Sequence, residues 1–280
     1  MSLLLRNALL LDVASGDHTE GDLRCEDGRI VESGPGLKAP QDARGIDLRG
    51  AHVMPGLIDA HVHVTASTAD LGSLPSMSPS YLAAHSARLM GQMLERGFTT
   101  VRDASGADYG LADAQAEGLI RGPRLLFCGV ELFLRKDAFL VPTLVTYWAL
   151  EEEGMAFGLP EASWRKVDEV LEAGFAALER AASAGVRLVY GSDLLGGMHR
   201  HQSEELRLRA RVQSPKVLRA ATVNAAELVG MAGSIGTLTV GAHADLLVLD
   251  GDPTRDIGAL AKPKNLRYVV QSGEVVSASA

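Results

Sequence analysis

The two ends of this 280-residue chain share one sequence texture, and the middle has another. Residues 1–55 are short apolar runs cut by turn residues: LLLRNALLLD, Gly16-Asp17, DLRCEDGRIVESGPG with Asp27-Gly28, then GIDLRGAHVMPG. Residues 234–280 repeat the pattern in SIGTLTVGAHADLLVLDGDP and LRYVVQSGEVVSA. Apolar runs bounded by Asp-Gly and similar pairs are strand and hairpin signals, because the turn needs residues that tolerate positive φ. The simplest arrangement pairs both ends into one β module, leaving residues 56–233 as a second unit. There the pattern alternates between strand-like and helix-like runs, as expected of a parallel α/β architecture.

The strand expectations in this middle unit are 56–64, 98–104, 124–130, 138–145 and 186–193. Helices are expected over 80–97, 109–120, 161–185 and 214–230, the last with Ser214 as N-cap and Pro215 at the first helical position.

Composition narrows the function classes. Hydrophobic residues make up 46% and charged residues 22%, with a formal net charge of −8, which excludes a disordered, collagen-like or disulfide-rich chain. An acidic chain with few lysines lacks the clustered cations a nucleic-acid binder needs, so small molecules are the expected partners. Cys25 and Cys128 are isolated and read as buried free thiols. The apolar stretch from Ala138 to Leu150 contains Pro142, Thr143 and Thr146 and is too short to span a bilayer, so it reads as core. No basic leader frames the apolar N-terminus, and a cytoplasmic location without membrane association is expected.

The chemistry concentrates in Pro55-Gly56-Leu57-Ile58-Asp59-Ala60-His61-Val62-His63. Side chains alternate faces along a strand, so His61 and His63 project to one side, where both imidazoles can reach one ion. A second signal, Val189-Tyr190-Gly191-Ser192-Asp193, is an apolar run ending in a carboxylate. In a parallel α/β barrel the strand C-termini form the working face, where Asp193 could meet the two histidines. By itself Asp193 would read as a turn residue.

His199 and His201, in GGMHRHQSEE, read first as a solvated polar loop and second as replacement ligands. His85 reads as a surface or packing histidine, and His243 as structural. Glu151–Glu153 and the Glu204-Glu205 pair read as solvated helix starts. Arg102 and Arg200 read as ion-pair partners, with a forked contact to a substrate carboxylate as the alternative. No glycine-rich nucleotide-phosphate motif is present.

Taken together, PGLIDAHVHV, GFTTVRDASG, VPTLVTY, the GSD run and ATVNAAELVGM…IGTLTVGAHADLLVLDGDP resemble the amidohydrolase superfamily, nearest its Xaa-Pro dipeptidase-like and imidazolonepropionase-like members. The resemblance implies a (β/α)8 TIM-like barrel with a β-sandwich built from both termini. It implies His61, His63 and Asp193 as metal ligands, with Asp193 also shuttling a proton. The expected cofactor is a divalent metal, with zinc the expected ion and one ion rather than two. The implied reaction is hydrolysis of a C–N bond, in a dipeptide-like or N-acyl amino acid substrate, by metal-activated water.

The family pattern also has a lysine from the fourth strand and histidines from the fifth and sixth. This sequence passes from GPRLLFCGV almost directly to ELFLRKDAFLVPTLV, so those ligands have no counterpart, and Lys136 sits in what reads as a helix end. A full barrel takes about 250 residues. The expected fold is therefore an α/β, incomplete barrel over 56–233, shortened between Val130 and Ala138, with the β module formed by 1–55 and 234–280. The alternative to a working hydrolase is an impaired, shortened relative serving as a binding or assembly module, whose open sheet edges favour homo-oligomers, or an incomplete sequence of such an enzyme.

Overall fold

The computed structural model describes residues 2–38, 40, 43–127, 139–213 and 216–278. Cys128, Lys136, Ser214, Pro215 and the Val130–Ala138 junction lie outside the described residues.

The two ends form one hydrogen-bonded sheet. Its N-terminal strands are β1 (Ser2–Leu11), β2 (His18–Glu26), β3 (Arg29–Gly34), β4 (Arg44–Asp47) and β5 (His52–Pro55). The parallel sheet that follows is β6 (Leu57–Val62), β7 (Phe98–Asp103) and β8 (Arg124–Phe127), and the C-terminal strands are β9 (Leu246–Leu249), β10 (Leu266–Gln271) and β11 (Glu274–Ala278). The large sheet runs β11-β10-β9-β5-β1-β2-β3, with β4 beside β1. Antiparallel β5 and β9 make the seam between the two ends, pairing His52 with Leu249 and Pro55 with Leu246.

Its hairpins follow the expected turn chemistry. Asp27-Gly28 closes β2 to β3 with φ of 48° and 76°, and Ser272-Gly273 closes β10 to β11 with 49° and 78°. Two consecutive positive φ values define the tight turn whose twist matches that of antiparallel strands. Leu3, Leu5, Leu23, Ile30, Val53 and Val248 are buried in this module's core, each contributing about 1.5–3 kcal/mol relative to exposure.

Strands β6, β7 and β8 pair in parallel, linked by α1 (Pro79–Glu95) and α2 (Tyr109–Ala116). Leu89, Met90, Met93 and Leu94 of α1 pack with Leu57, Phe98 and Val101, which fixes the direction of the strands and so of their C-terminal ends. The other helices are α3 (Leu144–Glu153), α4 (Glu161–Trp164), α5 (Val167–Ser183), α6 (Glu204–Gln213), α7 (Lys216–Ala220) and α8 (Val223–Leu228). The single helices expected over 161–185 and 214–230 are each divided in two. No helix among the described residues is long and apolar enough to cross a membrane.

Two expected strands are corrected. Within 138–145 only Leu140 makes a strand-type bridge, to Leu188, and helix α3 begins at Leu144. Pro142 has no N–H to offer a ladder, which ends extension there. Residues 186–193 likewise form no regular strand, yet they run beside β6. Ala60 N–H donates to Tyr190 O at 3.0 Å, and Val189 N–H to Leu140 O at 2.9 Å.

The solvated reading of Glu205 is also corrected. Glu205 and Arg209 are both fully buried, with Nε to Oε1 at 2.8 Å, one turn apart on α6. Arg209 Nη2 donates to Pro142 O at 3.0 Å and Val189 O at 2.8 Å, and Glu205 Oε2 accepts from Val145 N–H at 2.6 Å. The pair thereby replaces the missing ladder, tying α6 to both irregular segments. Burial pushes the Glu205 carboxyl up to about 7, with the Arg209 charge opposing it.

A raised carboxyl means that the folded state holds its proton more tightly than the unfolded chain. The stability linked to Glu205 is thus fully present at pH below its ordinary value and is lost as pH rises through about 7. Arg209→Met leaves the carboxylate buried without its partner, and a destabilisation of about 3–5 kcal/mol is expected above neutrality. Urea unfolding at pH 8 and at pH 5.5 checks this: the deficit should shrink at the lower pH, where Glu205 is protonated.

Candidate metal centre

His61 lies at the C-terminal end of β6 and His63 just beyond it. Both imidazoles turn toward Asp193, with Nε2 to Oδ1 distances of 3.5 Å from His61 and 3.1 Å from His63. One ligand atom from each residue falls within 4.8 Å of the others. The side chains are partly shielded, with relative exposures of 31%, 21% and 31% for His61, His63 and Asp193.

Asp193 reaches this position through its backbone. Its φ is 53°, in the left-handed region, which aspartate tolerates better than most residues. The N–H groups of Asp193 and Ser192 donate to His61 O at 2.8 and 3.2 Å. Gly191 permits the close approach, since a Cβ there would lie 2.4 Å from Val141 Cγ1 and 2.8 Å from His61 Cβ.

Beneath the three residues lies Asp59, which the sequence reading did not single out. Its buried carboxylate accepts from Ser192 Oγ at 2.6 Å, Ser192 N–H at 3.1 Å, Gln202 Nε2 at 2.8 Å and His61 N–H at 3.1 Å. Burial raises its carboxyl to about 6 against these four hydrogen bonds. Gln202 Oε1 accepts in turn from Arg96 Nε and Nη2 at 3.2 and 2.9 Å, and the Tyr190 hydroxyl donates to Gln202 O. Thr146 Oγ1 donates to Ser192 O, holding the residue before Asp193 from the other side. The clue in sequence was an aspartate two positions before His61, on the same strand face.

Second contacts orient the rings. His63 Nδ1 lies 3.0 Å from Ser105 O, which accepts its proton and leaves Nε2 facing Asp193. This arrangement, with the other ring nitrogen on a carbonyl, is typical of metal-ligating histidine. Burial lowers the His61 pKa below its ordinary value, opposed by Asp193, whereas the hydrogen bond to Asp193 raises that of His63. Two imidazole nitrogens and a carboxylate oxygen converging on one point form a donor set suited to zinc or a related divalent ion.

The other histidines and arginines fall elsewhere. His199 is fully buried, correcting its reading as a solvated loop residue, and burial lowers its pKa to about 3. Its ring meets the backbone of His63, yet it offers no ligand atom to the group formed by His61, His63 and Asp193. His201 pairs with Glu153 and lies edge-on to Trp148, with ring centroids 5.1 Å apart. Neither histidine joins the His61, His63 and Asp193 group among the described residues. His85 is half-buried on α1. His243 Nδ1 is 3.1 Å from Arg124 Nη2, inside the β module contact with β8. Arg200 is engaged by Glu153 and by Gly197 O, the structural role expected of it. Arg102, on β7, keeps a buried Nε without a hydrogen bond and is close enough to lower the His61 pKa.

A curated adenine deaminase from Methanoregula boonei is 49% identical over 65 residues, and a dihydroorotase from Pelobacter propionicus 42% over 64. Each match covers 23% of this chain but only 11% and 15% of those longer proteins. Among solved structures, a prolidase complexed with N-methylphosphonate-L-proline superposes with a TM-score of 0.92 at 31% identity, covering 100% of both chains. A Xaa-Pro dipeptidase with bound methionine shares the fold, at TM-score 0.82 and 17% identity, over 98% of this chain and 99% of that one. The amidohydrolase family profile matches residues 52–138 and 132–276, and on that extent of agreement this chain belongs to the amidohydrolase family.

Proposed function

We propose that this chain is a metal-dependent hydrolase of a C–N bond in a dipeptide-like or N-acyl amino acid substrate. The observation that carries the reading is the convergence of His61, His63 and Asp193 at the strand ends. The family and its prolidase relative support hydrolysis of an amide, and the N-methylphosphonate-L-proline bound to that relative makes Xaa-Pro dipeptides the first substrates to test. An incomplete barrel over 56–233, with the end strands as a β-sandwich, is the architecture we assign to it. The two family matches overlap at 132–138, beside the point where the sequence shortens, and this supports that assignment.

His61, His63 and Asp193 would hold the ion, for which zinc is our choice. The chemistry a bound ion would supply there is Lewis acidity, which makes water more acidic and polarises a carbonyl. Asp193 then has two tasks. Its carboxylate takes the proton of the attacking water and returns it to the leaving nitrogen, as general base and then general acid. Asp59 keeps it in place through Ser192, and Ser105 O fixes the tautomer of His63. Arg102, whose Nε makes no hydrogen bond, is the residue we assign to a substrate carboxylate.

A second reading, an impaired relative acting as an assembly module, is favoured by one observation: among the described residues only three ligands meet at this site. Sedimentation separates the two readings, since an inert chain forming stable oligomers supports assembly, and an active monomer excludes it.

Elemental analysis of purified protein should show stoichiometric divalent metal, and a dipeptide panel under metal loading should show hydrolysis. Substoichiometric metal together with no turnover would sink the reading. Asp193→Asn should lower turnover by at least the 10²–10⁴-fold typical of lost acid–base catalysis. Asp59→Asn, remote from substrate, should weaken metal affinity about 10–100-fold in calorimetric titration while far-UV circular dichroism stays unchanged.

A further inference from the structure

A second group of ligand-type side chains lies outside the site just described. His18 is the first residue of β2 and His52 the first of β5, and β1 runs between these strands, pairing Leu11 with His18 and Leu9 with His52. Asp252 follows β9, whose Leu249 is the antiparallel partner of His52. Three strands distant in sequence therefore deliver two imidazoles and a carboxylate to one end of the large sheet. One ligand atom from each lies within 4.8 Å of the others.

The contacts within this group are incomplete. The His18 and His52 rings meet edge to face at 4.8 Å between centroids, and His18 Nε2 is 3.5 Å from Asp252 Oδ1. His18 Nε2 and His52 Nδ1 are both shielded from solvent, and neither makes a hydrogen bond. Buried polar atoms are paired in the great majority of native structures, so His52 Nδ1 without a partner and His18 Nε2 with only its 3.5 Å contact to Asp252 leave a place for a further partner. Asp252 itself is held in position, since Thr254 N–H and Oγ1 donate to Oδ1 at 2.8 and 2.6 Å. Arg255 Nε approaches Oδ2 at 3.4 Å from a largely exposed side chain, so an ion would share Oδ1, the oxygen facing His18, with the Thr254 donors.

We propose that His18, His52 and Asp252 form a second binding site for a divalent transition-metal ion, clipping the N-terminal strands to the C-terminal segment. Ligand bonds of about 2.0–2.1 Å in tetrahedral geometry place donor atoms roughly 3.3 Å apart. The 3.5 Å from His18 Nε2 to Asp252 Oδ1 already approaches that spacing. Two imidazoles with one carboxylate suit zinc, copper or nickel and not magnesium or calcium, which take oxygen ligands. The site shares no residue with the His61, His63 and Asp193 group, so the role we give it is structural: it cross-links residues 18 and 52 to 252, closing a long loop.

The test uses the full chain carrying His61→Ala and His63→Ala, stripped with chelator and loaded with Cu²⁺ or Zn²⁺. One equivalent should be retained after dialysis, with copper electron paramagnetic resonance showing coupling to two nitrogens and a raised Tm on zinc addition. All three signals should vanish when His18→Ala and His52→Ala are added. Should the His61/His63 variant fail to fold, metal content of the wild-type chain is compared with that of His18→Ala/His52→Ala, which should hold one equivalent less at unchanged far-UV circular dichroism. Retention of no ion by the first variant, or equal metal content with and without the His18 and His52 side chains, would overturn the proposal.

Discussion

One buried carboxylate, Asp59, connects the two parts of the candidate centre that lie farthest apart in the chain. It accepts four hydrogen bonds, three from Ser192 and Gln202 and one from the backbone of His61. Hydrogen bonds involving a charged group contribute about 1.5–3 kcal/mol each, against the cost of removing a carboxylate from water. These bonds do more than fill lone pairs. They fix the turn in which Asp193 adopts its left-handed backbone, and that turn aims Asp193 at the two imidazoles. Such backbone conformations persist only where their surroundings determine them, and here Asp59, Thr146 and the His61 carbonyl all act on Ser192 and Asp193.

The Glu205–Arg209 pair extends the same logic outward. Residues 139–143 and 186–193 are irregular, with 188–192 buried, and carbonyls shielded from water without a ladder need other donors. Arg209 supplies two donors, to Pro142 O and Val189 O, and Glu205 takes the N–H at the start of α3. Leu144, Val145, Leu188, Leu194, Met198 and Leu208 then pack around this polar centre. The apolar contacts supply most of the stabilisation, and the polar pair ties α6 to both irregular segments through Arg209 Nε and Nη2.

Much of the fold was legible because its signals are local. Asp27-Gly28 and Ser272-Gly273 each specify a hairpin by backbone conformation alone, and the Leu57–Val62 strand announces which of its residues share a face. The failures have one cause. The expected strand at 138–145 and the solvated reading of Glu205 were judged from neighbours in sequence, yet Pro142 and Glu205 are decided by each other through Arg209. The Glu205 and Arg209 spacing of one helical turn was visible, but spacing does not tell which face is buried. His199 misled in the same way: a polar loop motif said nothing of the packing that excludes water from it.

The sequence by itself determined the two-ended β module, the parallel β/α units between its halves, and the pairing of His61 with His63 on one strand face. Strand alternation, helix periodicity and turn chemistry act over a few residues and need no knowledge of the rest of the chain. The GSD run pointed to Asp193 as the partner of those histidines, and only the tertiary structure decided that Asp59 holds it there and that His18, His52 and Asp252 meet. Each of those meetings requires chain closure between distant segments, which is paid for by the packing of whole elements and not by the residues that meet.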